Sequence, residues 1–558
     1  MNGFRDARAM TTATPPDTGA APAPAPRDDV GRRVYLETFG CQMNVLDSQL
    51  VRSQLQALGY RFVDAWDQAD VVLYNTCSVR AHAEQKVLSR LGQVGVHKRQ
   101  RPDVVLGVIG CMAERDGQAI ARRYPQVDVL CGPGELNKLP MLIDNAVRTA
   151  GPTQVALQGN THRRSQTLAA AEDELERIDL SRSFAPEDQL AAGRSAYVRI
   201  TRGCNKFCTY CVVPFTRGRE IHRPPQHILD ECRRLVDAGV REITLLGQTV
   251  NHYHFDHAAA VTANGLVQPQ VGAVVRNDGN SFDARGLSRD GKGEAKSRPS
   301  HSPRTGVKSQ GVTTFADLLA LIHDELPGLE RLRFVTSFPR DFGDDILRVM
   351  ARRPRICRYL HIPVQHGSDR ILKMMNRGYT VEQYLDLVDR VRAHLPDAEL
   401  ATDIICGFPT ETETEHHTTA GLLRRCGFKN AFIFKYSPRP GTAAAQRLAD
   451  DVPDAVKKRR NNELLAVQSQ VSAAVHGKYV GRTLRVFVEA VSAKARKAGN
   501  GGLGGVELGW ERPDEVTQLT GRTDTDLIVI LEGSSELIGR SVDVTIDRAA
   551  PLALFGRA

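Results

Sequence analysis

The sequence predicts an α/β chain in three folded parts: an N-terminal parallel α/β sheet domain, a central partial β/α barrel and a small C-terminal antiparallel β-barrel. Three observations predict it. Strand-like runs alternate with amphipathic stretches from Val34 to about Thr149, six further strand–helix beats follow from Ser195, and after residue 473 short strands alternate with Gly-containing turns. A length of 558 residues exceeds what one core can hold, so several domains are required. With 41% hydrophobic and 25% charged residues, the chain is not wholly disordered. No apolar run reaches the roughly 18 residues that a membrane span needs.

Residues 1–31, rich in Pro, Ala and Thr, have too little apolar surface to fold and are expected to be a disordered tail. VYLETFGC is a strand; the helix after it is predicted to bury Val45, Leu50, Val51, Leu55 and Leu58. VVLYNTC is a second strand, followed by a helix with Val79, Ala83, Val87, Leu88 and Leu91 on one face. DVVLGVIGC and VDVLCGPG complete a first domain over 32–149. The polar stretch 150–189 is expected to be a linker. The central domain, 190–472, has strands SAYVRI, REITLLGQ, RLRFVTSF, RYLHIPVQ, LATDIICGFP and NAFIFKYSP. Its Gly-, Ser- and Lys-rich stretch, about 257–311, is expected to be a flexible insertion. TLRVFVEAV, TQLTGR, DLIVILEG and SVDVTIDR form the small barrel, 473–547, with Gly-rich AGNGGLGG between the first two and a tail over 548–558.

Lys and Arg number 74 against 65 Asp and Glu, a net charge of +9. That excess suits a polyanion such as RNA and equally suits an ordinary basic surface. Eleven cysteines, an odd count thinly spread, are no disulfide framework, and the N-terminus lacks an apolar signal segment. A reducing cytoplasm is expected, where clustered thiols mean metal or catalysis.

The sharpest local signal is Cys204-Asn-Lys-Phe-Cys208-Thr-Tyr-Cys211, directly after a strand. Three thiolates at this spacing satisfy three irons of a [4Fe-4S] cluster and leave the fourth iron open, by inference to S-adenosylmethionine. A structural zinc site prefers four closed ligands, and no partner Cys or His stands at finger spacing.

Further motifs accompany it: Thr38-Phe39-Gly40-Cys41-Gln42-Met43-Asn44 with Asp47-Ser48, then Asn75-Thr76-Cys77-Ser78-Val79-Arg80, then Gly110-Cys111-Met112-Ala113. Together these resemble the methylthiotransferase family of radical S-adenosylmethionine enzymes, and most closely its group acting on N6-dimethylallyladenosine in tRNA. The resemblance covers about 32–550 apart from the insertion. Thr249, His366 and Ala444 depart from the family pattern, where Asn, Ser and Pro are expected. Independently of the resemblance, Cys41, Cys77 and Cys111 each end a strand, so a parallel sheet brings them to one edge. Cys131 also ends a strand and fits that edge on geometry alone, but the family pattern assigns only three cysteines. Cys232, Cys357, Cys406 and Cys426 lack partners at ligand spacing and are expected to be packing residues.

The resemblance implies two [4Fe-4S] clusters, held by Cys41, Cys77 and Cys111 and by Cys204, Cys208 and Cys211, with S-adenosylmethionine as co-substrate. It implies methylthiolation at C2 of N6-dimethylallyladenosine, position 37 beside the anticodon, through a 5′-deoxyadenosyl radical and with no side-chain acid or base. Candidate contacts to S-adenosylmethionine lie at the strand ends: Tyr210, Gly247, Gln248, Ser337, Gln365, Ile405 and Phe408. The small barrel resembles a TRAM domain, an OB-like RNA-binding module. There Lys478, Arg482, Arg485, Lys494, Arg496, Lys497 and Arg522 are candidate phosphate contacts, with Arg439 a further one at the barrel mouth. Expected partners are the tRNA anticodon loop, an electron donor such as flavodoxin or ferredoxin, and sulfur or iron–sulfur delivery proteins; a cytoplasmic monomer without membrane contact is expected. Two competing readings are methylthiolation of threonylcarbamoyladenosine or of a ribosomal-protein aspartate, and a non-catalytic RNA-binding protein with a structural cluster. The Gln-Met-Asn and Asn-Thr-Cys-Ser-Val-Arg segments favour the dimethylallyladenosine group, and two intact triplets disfavour a mere binder.

Overall fold

The computed structural model describes residues 31–78, 81–149, 151, 153–159, 168–182, 194–263, 265–272, 311–492 and 517–558. Val79, Arg80, Lys494, Arg496, Lys497, the AGNGGLGG stretch, almost all of the N-terminal tail and most of the expected insertion lie outside them.

The first domain runs β1 (Arg33–Phe39), α1 (Gln42–Ala57), β2 (Arg61–Phe62), β3 (Val71–Thr76), α2 (Ala81–Lys98), β4 (Val105–Ile109), α3 (Cys111–Arg123), β5 (Val129–Cys131), α4 (Leu139–Arg148), β6 (Gln154–Ala156) and α5 (Leu168–Ser181). All six strands are parallel, in the order β2-β1-β3-β4-β5-β6. Helices cover both faces, which is why the central strands read as unbroken apolar runs. Val71 and Leu73 pack toward α1, α4 and α5, with Leu46, Leu50, Ile143 and Ile178. Val72 and Tyr74 pack the other way, toward α2 and α3, with Val87, Leu91 and Ile120. The helical face of α1 is shifted from the predicted one: Met43 and Leu46 are buried, whereas Val45 and Leu58 are exposed.

The stretch 150–189, expected as a linker, contributes β6 to the sheet edge and α5 to one face. Neither was visible in the apolar pattern, for two physical reasons. β6 has three residues, too few to show a period. α5 buries Glu176 and Asp179 against the arginines Arg199, Arg202 and Arg223, so its inner face is charged.

The central domain has β7 (Ser195–Arg199), β8 (Thr201–Arg202), β9 (Ile221–His222), β10 (Glu242–Leu246), β11 (His254–Asp256), β12 (Thr262–Ala263), β13 (Leu266–Val267), β14 (Gln270–Val271), β15 (Val312–Thr314), β16 (Arg331–Phe334), β17 (Tyr359–His361), β18 (Glu399–Cys406) and β19 (Asn430–Lys435). The six predicted barrel strands are β7, β10, β16, β17, β18 and β19. They pair in parallel as β7-β10-β16 and β17-β18-β19. Backbone bonds from Leu332 to Arg355 and from Cys357 to Leu332 join the halves. Among the described residues no ladder joins β7 to β19, so the barrel is open. Capping boxes at Thr314, Thr380 and Thr412 start three of its outer helices. The described start of the insertion is structured: β12 pairs with β13 and β14 with β9, while β11 and β15 pair at its two flanks.

The helix Asp454–Gly477 leads into the small barrel, β20 (Thr483–Val491), β21 (Thr517–Arg522), β22 (Ile528–Gly533), β23 (Ser541–Ala550) and β24 (Ala553–Arg557). It closes in the order β20-β21-β22-β24-β23 around Val486, Leu519, Val529 and Val544. One pair, β22 with β24, is parallel. Residues 548–558, expected as a tail, are instead the end of β23 and the whole of β24. The two-residue turn between these strands hid β24 in the sequence.

The small barrel docks on the N-terminal ends of the central strands. Arg331 and Arg333 donate to the carbonyls of Arg522 and Thr523, and Lys429 pairs with Asp526. Glu489 of β20 is caught in this seam: burial pushes its carboxyl up to about 7, although Arg522 opposes the shift. A raised carboxyl favours folding when protonated, so its contribution is lost as pH rises from the ordinary value of 4.5 through about 7. Glu489→Gln is therefore expected to stabilise the protein by about 2 kcal/mol at pH 8 and by under about 1 kcal/mol at pH 5, read by thermal unfolding at both values.

Candidate active site: two thiol triads and the barrel mouth

Cys41, Cys77 and Cys111 follow the ends of three adjacent strands, β1, β3 and β4. Cys41 is the N-cap of α1 and Cys111 the first residue of α3, so two of the thiols sit at helix N-termini. A second layer of polar side chains holds this edge in register. Asn44 Nδ2 donates to Asn75 Oδ1 at 2.9 Å, and Asn75 Nδ2 donates to the Asn44 carbonyl and to Ser48 Oγ, each at 2.9 Å. Thr38 and Ser48 share a 2.6 Å bond, and the Cys41 thiol donates to Asn44 Oδ1 at 3.3 Å. Two glycines leave room for the arrangement. A Cβ on Gly40 would lie 2.8 Å from Cys77 Cβ, and one on Gly110, at φ +91°, would lie 2.4 Å from Asn75 Oδ1.

Burial pushes the Cys111 thiol up to about 11; Arg217 opposes, while Cys41, Asp47 and Cys77 add to the rise. Thiols that disfavour one another's ionisation become a stable set of thiolates only with a cation among them, and this donor set fits an iron–sulfur cluster. Cys131 ends β5 but turns inward. Its thiol donates to the Glu135 carbonyl at 3.2 Å and packs in the sheet core.

The second triad occupies the loop after β8. Gly203, at φ +65°, turns the chain where a Cβ would lie 2.0 Å from the Arg219 carbonyl oxygen. Cys204 is buried; Cys208 and Cys211 are half-buried. Phe207 adopts φ +48°, stabilised by Asn376 donating to its carbonyl at 3.0 Å. Thr209 is held from both sides, its hydroxyl to the Met374 carbonyl at 2.8 Å and its own carbonyl accepting from Ala444 N. Burial raises the Cys204 thiol well above its ordinary value, with Glu220, Cys211 and Cys208 adding. Burial also pushes Cys211 up to about 12, with contributions from Cys208 and, across the domain boundary, Cys111. The two triads therefore lie within each other's field.

Two arginines serve these triads, and sequence reasoning missed both. Arg217 Nη2 donates to Asp47 at 2.8 Å, tying the first domain to the central one, and its charge acts on Cys111 and Cys41. Buried Arg377 donates to the Cys208 thiol at 3.3 Å, to the Tyr210 hydroxyl at 3.4 Å and to the Pro363 carbonyl at 2.8 Å. Arg377 stands 169 positions from Cys208, beyond any spacing pattern. Arg217 lay six residues past Cys211, close enough for a search of flanking cations to have found it.

The strand ends around the second triad gather the remaining candidates. Tyr210, Ile405 and Phe408 meet in one apolar cluster with Ile371, Met375, Tyr436 and Ala444; the Phe408 and Tyr436 rings are 5.1 Å apart, edge to face. Gly247 follows β10, where a Cβ would lie 2.2 Å from Thr201 Oγ1. Gln248 follows it, half-buried. Ser337 lies past β16, its backbone N bonded to the His361 carbonyl. Gln365 takes φ +75° and bonds by its backbone to Asp403 and Ile405. The hydroxyls of Ser337 and Thr201 are buried without a hydrogen-bond partner, which fits a polar cofactor at this mouth. Both ring nitrogens of His366 are engaged. Its Nδ1 accepts from Ser368 N at 3.1 Å, leaving Nε2 to donate to Glu411 at 3.1 Å in a fully buried pair.

The comparisons agree with this geometry. The uncharacterized protein family UPF0004 matches residues 33–132, the radical SAM superfamily 198–423 and the TRAM domain 511–558. The chain is 38% identical over 529 residues to tRNA-2-methylthio-N(6)-dimethylallyladenosine synthase of Rhodopirellula baltica, covering 94% of this chain and 95% of the relative. It belongs to the tRNA-2-methylthio-N(6)-dimethylallyladenosine synthase family. The Bacteroides fragilis member is 37% identical, with 97% of this chain and 98% of the relative covered. A solved radical S-adenosylmethionine methyltransferase, TsrM of Kitasatospora setae, is 15% identical with a TM-score of 0.45, over 74% of this chain and 75% of that one. The synthase family's radical SAM domain implies S-adenosylmethionine and a [4Fe-4S] cluster.

Several candidate RNA contacts are engaged elsewhere. Arg439 pairs with Glu84 of the first domain at 3.3 Å, and Arg522 pairs with Glu489 and Asp526 in the small-barrel seam. Lys478 and Arg482 are exposed, and Arg485 is exposed beside Asp543. Among the described residues no helix is long and apolar enough to cross a membrane. Gly110→Ala is expected to displace Asn75 and destabilise the first domain by about 2–3 kcal/mol, with loss of roughly half the bound iron, measured by denaturant unfolding and iron analysis.

Proposed function

We propose that this chain methylthiolates C2 of N6-dimethylallyladenosine at position 37 of tRNA, with one [4Fe-4S] cluster on Cys204, Cys208 and Cys211 and a second on Cys41, Cys77 and Cys111. The observation that carries this reading is two thiol triads at one domain boundary: α3, which begins at Cys111, packs on the helix Val213–Thr216 that follows Cys211, and Cys111 adds to the rise of the Cys211 thiol. When bound, the clusters and S-adenosylmethionine supply radical cleavage of the C2–H bond and the sulfur that replaces it.

The chain's own residues orient and shield. Arg377 places a cation beside Cys208 and Tyr210, and its charge lowers the Cys211 thiol against the rise that burial causes. Tyr210, Ile405 and Phe408 offer an apolar wall for a purine ring, and Gly247, Gln248, Ser337 and Gln365 offer backbone and polar groups to the methionine part. An anticodon-loop base is already single-stranded, so it enters the mouth at low unstacking cost. The small barrel, docked at the opposite strand ends, holds the RNA backbone through exposed cations such as Lys478 and Arg482. A small electron-transfer protein and a sulfur-delivery partner complete the cycle.

Cys204→Ala is expected to abolish S-adenosylmethionine cleavage, read as 5′-deoxyadenosine by chromatography. Cys77→Ala is expected to retain cleavage while the methylthio nucleoside disappears from tRNA digests analysed by mass spectrometry. Persistence of the methylthio product in Cys77→Ala would overturn the role given to the first triad.

A further inference from the structure

Beside the second triad lies a separate group of ligand-type side chains. Glu220, His222 and His252 each place one donor atom within 4.8 Å of the other two. Glu220 is fully buried and His222 nearly so, while His252 retains a partly open edge. Glu220 stands directly before β9 and His222 is its last residue, while His252 comes from the 3-10 turn Val250–His252 after β10.

The group is held in place by its surroundings. Thr249 donates to Glu220 Oε1 at 2.6 Å, and His252 Nδ1 is 2.7 Å from Glu220 Oε2. Asn205 Oδ1 accepts from Glu220 N at 3.1 Å, and Asn205 Nδ2 donates to the Gly272 carbonyl at 3.0 Å. Gly272, just past β14, closes over the group; a Cβ there would lie 2.6 Å from His222 Nε2 and 3.3 Å from Glu220 Oε2. The insertion thus supplies a lid to this cluster through β14, which pairs with β9 at His222.

A second, independent observation points to a ligand. His222 Nδ1 is buried with no hydrogen-bond partner. Lys206, whose charge reaches His222, is itself ion-paired with Asp341. Two imidazoles and one carboxylate form a donor set suited to a borderline divalent cation such as Zn2+, with water completing the shell at the partly open His252 side.

We propose that Glu220, His222 and His252 bind one divalent transition-metal cation, separate from the iron–sulfur clusters, which pins β9, the loop after β10 and the insertion strand β14 behind Cys204. Thr249, one of the chain's departures from its family's pattern, acts here as an outer-shell support of the carboxylate.

The test uses anaerobic holoenzyme with its clusters intact, dialysed against micromolar ZnCl2 and analysed for zinc and iron together. The expected result is about one retained zinc per chain with iron unchanged. His222→Asn and His252→Asn are each expected to weaken zinc retention at least about tenfold while iron stays at the wild-type level. Wild-type protein that retains no zinc overturns the proposal, leaving a hydrogen-bonded Glu220–His252 pair only; this arm holds even if a variant fails to fold. Zinc uptake matched by iron loss, or equal in the variants, also overturns it.

Discussion

The structure depends on one constraint: six thiols from two domains must face each other across an interface without being driven apart or swung out of register. Burial raises the Cys111, Cys204 and Cys211 thiols with neighbouring thiols adding, and Cys111 adds to the rise at Cys211 across the boundary. The boundary is held by buried charge of the complementary kind. Asp47 of α1 meets Arg217 at 2.8 Å and Arg199 at 3.5 Å, and Arg199 in turn meets Asp179 of α5 at 2.7 Å. Removing one partner of such a buried network leaves an uncompensated charge, at a cost of about 3–5 kcal/mol.

The same network explains the place of α5. Its Glu176 contacts Arg202 and Arg223, and Arg223 reaches Glu231 on the helix Pro225–Asp237. The helix thereby serves as a charged wedge between the two domains at their common edge. Opposite, the small barrel is joined to the lower strand ends by arginines and a lysine donating to its loop around Thr523 and Asp526. The mouth of the central barrel is lined by Tyr210, Phe408 and the strand-end polar groups, and at its rim Arg439 pairs with Glu84 of the first domain.

Much of this was legible because the chemistry repeats a local rule. Cys41, Cys77 and Cys111 each stand directly after an apolar run, and parallel strands that pair side by side necessarily collect their ends. The six central strands were likewise visible as apolar runs between helical stretches. What escaped was whatever is stabilised by partners distant in sequence: α5, whose buried face is charged; β6 and β24, too short to show a period; and Arg377, which reaches Cys208 across the barrel. Arg439 and Arg522 looked like free cations for RNA, yet each has a carboxylate from another domain or strand.

By itself the sequence determined the fold class and the spacing of Cys204, Cys208 and Cys211, and put Cys41, Cys77 and Cys111 at strand ends, since apolar periodicity and ligand spacing are local properties of a chain; the choice of those three over Cys131 came from the resemblance. Only the tertiary structure decided that the two sets face each other, that His366 is locked in a buried pair, and that Glu220, His222 and His252 converge. Those outcomes rest on burial and on charges meeting across long separations, which no local pattern encodes.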